Sequence, residues 1–372
     1  MAHIFKKATK DSKGIIVFTH KEWSYFSAIK PLRRIKRAGL LPAFLDYDIK
    51  SSYERKIKKL RRKYVVGVHF GFYYPHHFSS KLVDFVMASE KNLPHLDKVI
   101  YRIPLNSRNF IPSNFKPDQT CEKIWDVIAV ARDVKFKHIP RIFTSIKKSF
   151  SINPDLRYLL IVPSQYKDRW GKEKGLADFY YQTFDNKERD NVTFLYLHPT
   201  LRMGIQQSQL IKFYNQSRAF TLFSEAEGES RVISEALCCG LPIIAYAGLK
   251  GGGLDLLDDT NARLFKNFDD AHNSSVDALN AFPTGLGDTH AKLTREDFMI
   301  EPLHEHFGYI YQRQEALFDE QLDVVDSLDM RLPAHYMDVE WCFDKSKPTA
   351  DILSVKQFTA FESYLYRVEN QE

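Results

Sequence analysis

Short apolar runs alternate with amphipathic stretches along most of this chain. GIIVFTH (14–20), LPAFLDYD (41–48) and YVVGVHFGF (64–72) read as strands, as do VDFVMASE and DKVIYRIPLN. Between them KPLRRIKRAG and SSYERKIKKLRRK (51–63) have helical spacing, the first with Pro31 near its start and Gly39 at its end. After a Pro/Asn/Ser-rich stretch at 104–119 the alternation restarts. IWDVIAVAR (124–132), LRYLLIVP, NVTFLYLHP, AFTLFS (219–224) and LPIIAYAG are the expected strands. PRIFTSIKKSF (140–150), QSQLIKFYNQS and SRVISEALCCG are the expected helices, the last closed by Gly240. Such alternation predicts parallel sheets covered by helices. REDFMIEPLHEHFGYIYQRQEALF (295–318) looks helical, with Thr294 as its N-cap, and SVKQFTAFESYLYRV (354–368) is an amphipathic final helix.

The expected organisation is a Rossmann-like unit over 1–118, a second over 119–290 and a helical extension over 291–372, whose last helix packs back on the first unit. Length agrees, since 372 residues suit two domains of ordinary size. With 44% hydrophobic and 27% charged residues the composition is globular and excludes a disordered chain. No stretch approaches the roughly 20 apolar residues of a spanning helix, so any membrane contact is expected at the surface. The four cysteines, Cys121, Cys238, Cys239 and Cys342, lack metal-ligand spacing and read as reduced thiols of a cytoplasmic protein. A net charge of +6 permits an anionic partner without choosing one.

The chemistry concentrates in EAEGESRVISEALCCGLPIIAYAG (225–248). EAEGE reads as a strand-to-helix turn at the carboxyl end of a parallel sheet, where open α/β sheets bind ligands. The helix N-terminus offers free N–H groups to an anion, and Gly228 allows close backbone approach. Glu227 and Glu235 stand eight residues apart; on a helix that is about 80° of rotation, so both can border one crevice. Two carboxylates beside an anion site suit hydroxyls better than a bare phosphate. A nucleotide-diphosphate sugar presents that pattern. Upstream, VARDVKFKH (130–138) follows the first strand of the same half, and Arg132 and Lys137 form a cationic pair able to hold a diphosphate as it leaves.

EGESRVISEALCCGLPIIA resembles the signature of the retaining GT-B glycosyltransferases of family 4, the Glycos_transf_1 type. Arg132 and Lys137 match that family's Arg and Lys, five apart, and GLKGGGLDLLDDTNARLF (248–265) matches its Gly-rich stretch. The resemblance is ordered across 120–268 and thinner before it. It implies a GT-B fold, in which two Rossmann-like domains flank a cleft and a C-terminal helix crosses back. It implies transfer of a sugar from a nucleotide-diphosphate sugar to an acceptor hydroxyl with retention, as in polysaccharide or lipid-linked glycan assembly. Glu227, Arg132 and Lys137 are then the expected catalytic residues. Gly228, Glu229, Ser230, Arg231, Val232 and Glu235 are expected to bind the donor. A front-face mechanism needs no cofactor and no metal. Glu229 and Ser230 stand where many members carry Phe and Gly, and His138 replaces a common Gly.

Other patterns compete. Asp46 and Asp48 imitate the D-x-D metal site of GT-A transferases, but lie in the other half. A degenerate module that binds glycan or nucleotide without turnover would share the same fold. His20 and His69, at strand ends of the first half, are candidates for the acceptor side, though structural histidines are common there. Arg55, Lys56, Lys58, Lys59, Arg61, Arg62 and Lys63 form a basic run of seven in nine. A solvated helix face is the plain explanation; an anionic membrane surface on the cytoplasmic side is the functional one. No recognition motif for nucleic acid accompanies the charge.

Overall fold

A computed structural model describes residues 3–19, 55, 57–69, 82–88, 100–163, 175–197 and 205–314, with Leu322, Tyr366 and Asn370. The chain divides into two compact α/β units, Met1–Phe110 with Met299–Glu372, and Ile111–Phe298.

Unit 1 holds a five-stranded sheet in the order β1-β2-β3-β4-β5. Its strands are β1 (His3–Lys6), β2 (Gly14–Thr19), β3 (Tyr64–His69), β4 (Phe85–Met87) and β5 (Tyr101–Ile103). β1 is antiparallel to β2, and the other pairings are parallel. The four-residue β1 escapes a sequence reading because its pattern is no longer than an ordinary loop's. Phe85 lies across Gly67 on the neighbouring strand, where a side chain would collide with its ring.

Unit 2 is built on β6 (Trp125–Val130), β7 (Tyr158–Pro163), β8 (Val192–Leu197), β9 (Ser217–Leu222), β11 (Ile243–Tyr246) and β13 (Ala262–Phe265). All pair in parallel, in the order β13-β11-β9-β6-β7-β8. Period-2 alternation divides the strand side chains between two cores. Val127, Leu160 and Ala219 face one side with Phe143 and Ile146 of α1 (Ile139–Ser149). Tyr180 of α2 (Leu176–Thr183) and Leu279 of α5 (Ala271–Ala281) join that core. Ile128, Leu159 and Phe220 face the other side with Tyr214 of α3 (Gln207–Asn215) and the apolar face of α4 (Arg231–Cys238). Gly240, at φ 77°, ends α4 in the left-handed conformation expected of its position. Strands buried on both faces explain the near-continuous apolar runs of the sequence.

The chain returns to unit 1 at residue 299. α6 (Ile300–Arg313) lays Leu303, Phe307 and Ile310 on the unit 1 sheet, with the Phe307 ring 5.9 Å from Phe5 and 5.5 Å from Phe85. The helix starts later than the Thr294 cap predicts. Residues 294–296 run beside Ile111 instead: Ile111 N–H donates to the Thr294 carbonyl (2.9 Å), and Glu296 N–H to the Ile111 carbonyl (2.8 Å). These long-range bonds compete with helix formation. The 41–48 strand and most of the 354–368 helix lie outside the described residues.

Candidate functional site

Numbered along unit 2, the strand order is 6-5-4-1-2-3, so β6 and β9 are the adjacent strands from which the chain winds in opposite directions. Their carboxyl ends mark the switch point where such sheets leave a crevice. The loop after β6 carries Arg132 to His138, and the segment after β9 carries Glu225 to Ser230. The topology therefore brings together segments about ninety residues apart.

Residues 226–229 are a strand, not the turn the sequence suggests. β10 (Ala226–Glu229) pairs in parallel with β12 (Lys250–Gly252). The GGG run permits this pairing. A side chain at Gly251, at φ 95°, would lie 2.9 Å from the Glu227 carbonyl carbon, and one at Gly252 would lie 2.8 Å from the carboxylate carbon of Glu229. The helical spacing of Glu227 and Glu235 accordingly does not apply, because only Glu235 is on α4.

The Lys137 amine pairs with the Glu227 carboxylate, and both side chains are largely shielded from water. Burial pushes the amine below its ordinary value of 10.5; Arg132 pushes the same way, while Glu227 opposes the fall. Arg132 itself is exposed. Glu235 is nearly inaccessible, at 1%, with Arg231 Nε 3.7 Å from its Oε1. Glu229 turns its carboxylate over Gly252.

α4 begins at Ser230, whose hydroxyl does not cap it. The first N–H groups of any helix lack intrahelical acceptors, so Arg231 and Val232 present donors at this end. The hydroxyls of Ser224, Ser230 and Ser234 are buried with no hydrogen-bond partner among the described residues. Buried hydroxyls are normally paired, so these three leave polar atoms unsatisfied along this segment. Ser224 and Ser234 were not singled out in the sequence. Ser224's place after a parallel strand was a usable signal for one of them.

Elsewhere, His69 is buried, and its Nε2 accepts a hydrogen bond from the Ser107 N–H at 2.8 Å. This fixes its neutral tautomer with the proton on Nδ1 and ties it to the 107–109 turn. His20, Asp46, Asp48 and Lys56 lie outside the described residues. Arg55, Lys58, Lys59, Arg62 and Lys63 are exposed around the buried Ile57, while Arg61 pairs with Asp84. Among the described residues, no group of three or more His, Cys, Asp or Glu is placed to hold a metal ion, and no helix is long and apolar enough to cross a membrane.

Unit 2 is thus a doubly wound α/β domain of the mononucleotide-fold type, with a polar site at its switch point. Residues 122–282 match the family described as Glycosyl transferases group 1. No curated protein matches the chain. Solved structures that resemble it include the pneumococcal O-GlcNAc transferase GtfA in complex with UDP and GlcNAc. It is 14% identical, with 69% of this chain and 54% of that one covered and a TM-score of 0.47. Sucrose-phosphate synthase from Thermosynechococcus elongatus is 15% identical, with 74% and 80% covered and a TM-score of 0.44. An E. coli structure bound with UDP-2-fluoro glucose is 12% identical, with 79% and 82% covered and a TM-score of 0.44. The chain spans about half the length of the first solved structures it matches.

Proposed function

We propose that this protein is a glycosyltransferase that moves a sugar from a nucleotide-diphosphate sugar to an acceptor hydroxyl, retaining anomeric configuration. The observation that carries this is the Lys137–Glu227 pair at the switch point of a group 1 domain, beside the N-terminus of α4. On donor binding the pair would exchange partners. Lys137 and Arg132 would take the diphosphate, and Glu227 would accept from the sugar's hydroxyls. The helix amides of Arg231 and Val232 would meet the remaining charge. In the transfer, the bond from the anomeric carbon to the phosphate oxygen breaks and the bond to the acceptor oxygen forms on the same face. The acceptor's proton passes to the departing phosphate. The cations stabilise that leaving group, so this chemistry calls for no metal. The buried Glu235, held by Arg231, would serve the ribose side.

The acceptor is proposed to be a glycan or lipid-linked glycan. The exposed cations at 55–63 support attachment to an anionic membrane surface, each cation contributing about 1 kcal/mol. Flotation with vesicles of phosphatidylcholine, with and without phosphatidylserine, tests that attachment. Binding indifferent to phosphatidylserine would refute it.

A thermal-shift screen with UDP-, GDP-, ADP- and CMP-sugars, followed by transfer assays in EDTA, tests the activity. Stabilisation by one nucleotide and EDTA-resistant transfer are expected. Binding without transfer to any acceptor would favour a non-catalytic module. Loss of transfer in EDTA would contradict the metal-free mechanism.

A further inference from the structure

The loops that bring Lys137 to Glu227 are joined at two further points. Glu225 N–H donates to the Phe136 carbonyl at 3.0 Å. His138 Nε2 lies 2.8 Å from Glu225 Oε1. The His138 ring is 4.8 Å from that of Phe268, which stacks on Tyr246 at 4.5 Å and carries the Arg141 guanidinium at 4.5 Å on its own ring. The imidazole is therefore fixed between a carboxylate and the aromatic layer of the core.

The backbone at His138 is unusual. Among the described residues it is the one non-glycine with positive φ, at φ 50° and ψ 40°. Glycine adopts that conformation freely, whereas a side chain there is strained. Strain kept at one position beside a polar site implies that the side chain contributes something glycine lacks. His138 also closes the 135–137 turn and opens α1, so its conformation sets how Lys137, one residue earlier, leaves the turn.

We propose that His138 is a positioning residue for Lys137. Its bridge to Glu225 sets the register of the 135–138 turn against β10, which holds the Lys137 amine at Glu227 instead of letting it swing into water. The catalytic meaning rests on the donor-site assignment above; the control of the amine does not.

The test uses the full chain without ligand. Lysines are acylated with an N-hydroxysuccinimide acetate, and the rate at each is read by mass spectrometry. His138→Gly relieves the backbone and keeps the fold. It should raise the Lys137 rate roughly fivefold, the change expected when a pair of this exposure is lost. Glu225→Ala should act alike. Glu225→Gln, which keeps an oxygen facing Nε2, should restore most of the protection. Lys123, bonded to the Asn215 and Ser217 carbonyls at 2.8 and 2.9 Å, is the control in the same unit. An unchanged Lys137 rate in His138→Gly overturns the proposal. So does a parallel rise at Lys123, which would mean general loosening. In transfer assays His138→Gly should lower kcat more than it raises the donor KM. If the wild type turns over no nucleotide sugar, the donor-site assignment fails while the acylation rates still decide the role of His138.

Discussion

The Lys137 amine meets the Glu227 carboxylate across ninety residues of sequence, at the point where β6 and β9 deliver their loops side by side. Each satisfies the other. On the donor-site assignment proposed above, a donor would replace this pair with its own phosphate and hydroxyl oxygens. Glu227→Gln keeps an oxygen near the amine and removes the charge. Turnover should fall by about 10²-fold or more with little change in melting temperature. Turnover near the wild-type level would remove Glu227 from the catalytic set.

The lowered pKa of Lys137 sets a pH dependence. Because the folded value lies below the unfolded one, the unfolded chain holds more protons between the two. This residue's contribution to stability therefore rises with pH in that window, which ends near 10.5. A bound diphosphate favours the ammonium form and draws a proton in. Titration calorimetry of UDP or GDP in two buffers of different ionisation enthalpy should show proton uptake in that window. Affinity should weaken as pH rises through it. Binding without proton exchange there would place the diphosphate away from Lys137.

The Glu229 carboxylate lies against Gly252, where an added side chain would collide with it. Gly252→Ala should cost about 1–3 kcal/mol through overpacking against the carboxylate. Glu229→Ala in the same chain should recover part of that loss. Urea denaturation of the single and double variants gives the coupling, and simple additivity would contradict the contact.

Burial pushes the Cys238 thiol up to about 12, and it lies 3.1 Å from the Thr294 hydroxyl; Cys239 is also raised well above its ordinary value by burial. The thiolate is the reacting species. Iodoacetamide should modify the partly exposed Cys121 in the folded protein, and Cys238 and Cys239 only after unfolding. Fast reaction at the pair would show that α4 opens readily.

Phe307 anchors α6 between Phe5 and Phe85. Phe307→Ala should destabilise unit 1 by about 3–5 kcal/mol. Denaturation followed by limited proteolysis should show loss beginning in residues 3–110. Unchanged resistance there would mean that α6 is not needed to close that core.

Hydrophobic periodicity alone determined the main strands of both units, because a strand buried on both faces must be apolar along its whole length. It also placed the helix ended by Gly240, where a left-handed cap favours glycine, and it singled out Arg132, Lys137, Glu227 and Glu235 by residue type near strand ends. Pairing was beyond its reach. β10 and β12 are four and three residues long, too short for any period, and become strands through each other's backbone bonds. The contacts of Lys137 with Glu227, and of His138 with Glu225, depend on which strands lie adjacent at the switch point. Tertiary bonds to Ile111 likewise replaced the helix start that Thr294 suggested. Local sequence sets which backbone conformations are cheap, but only the closed sheet decides which distant side chains share one small volume shielded from water.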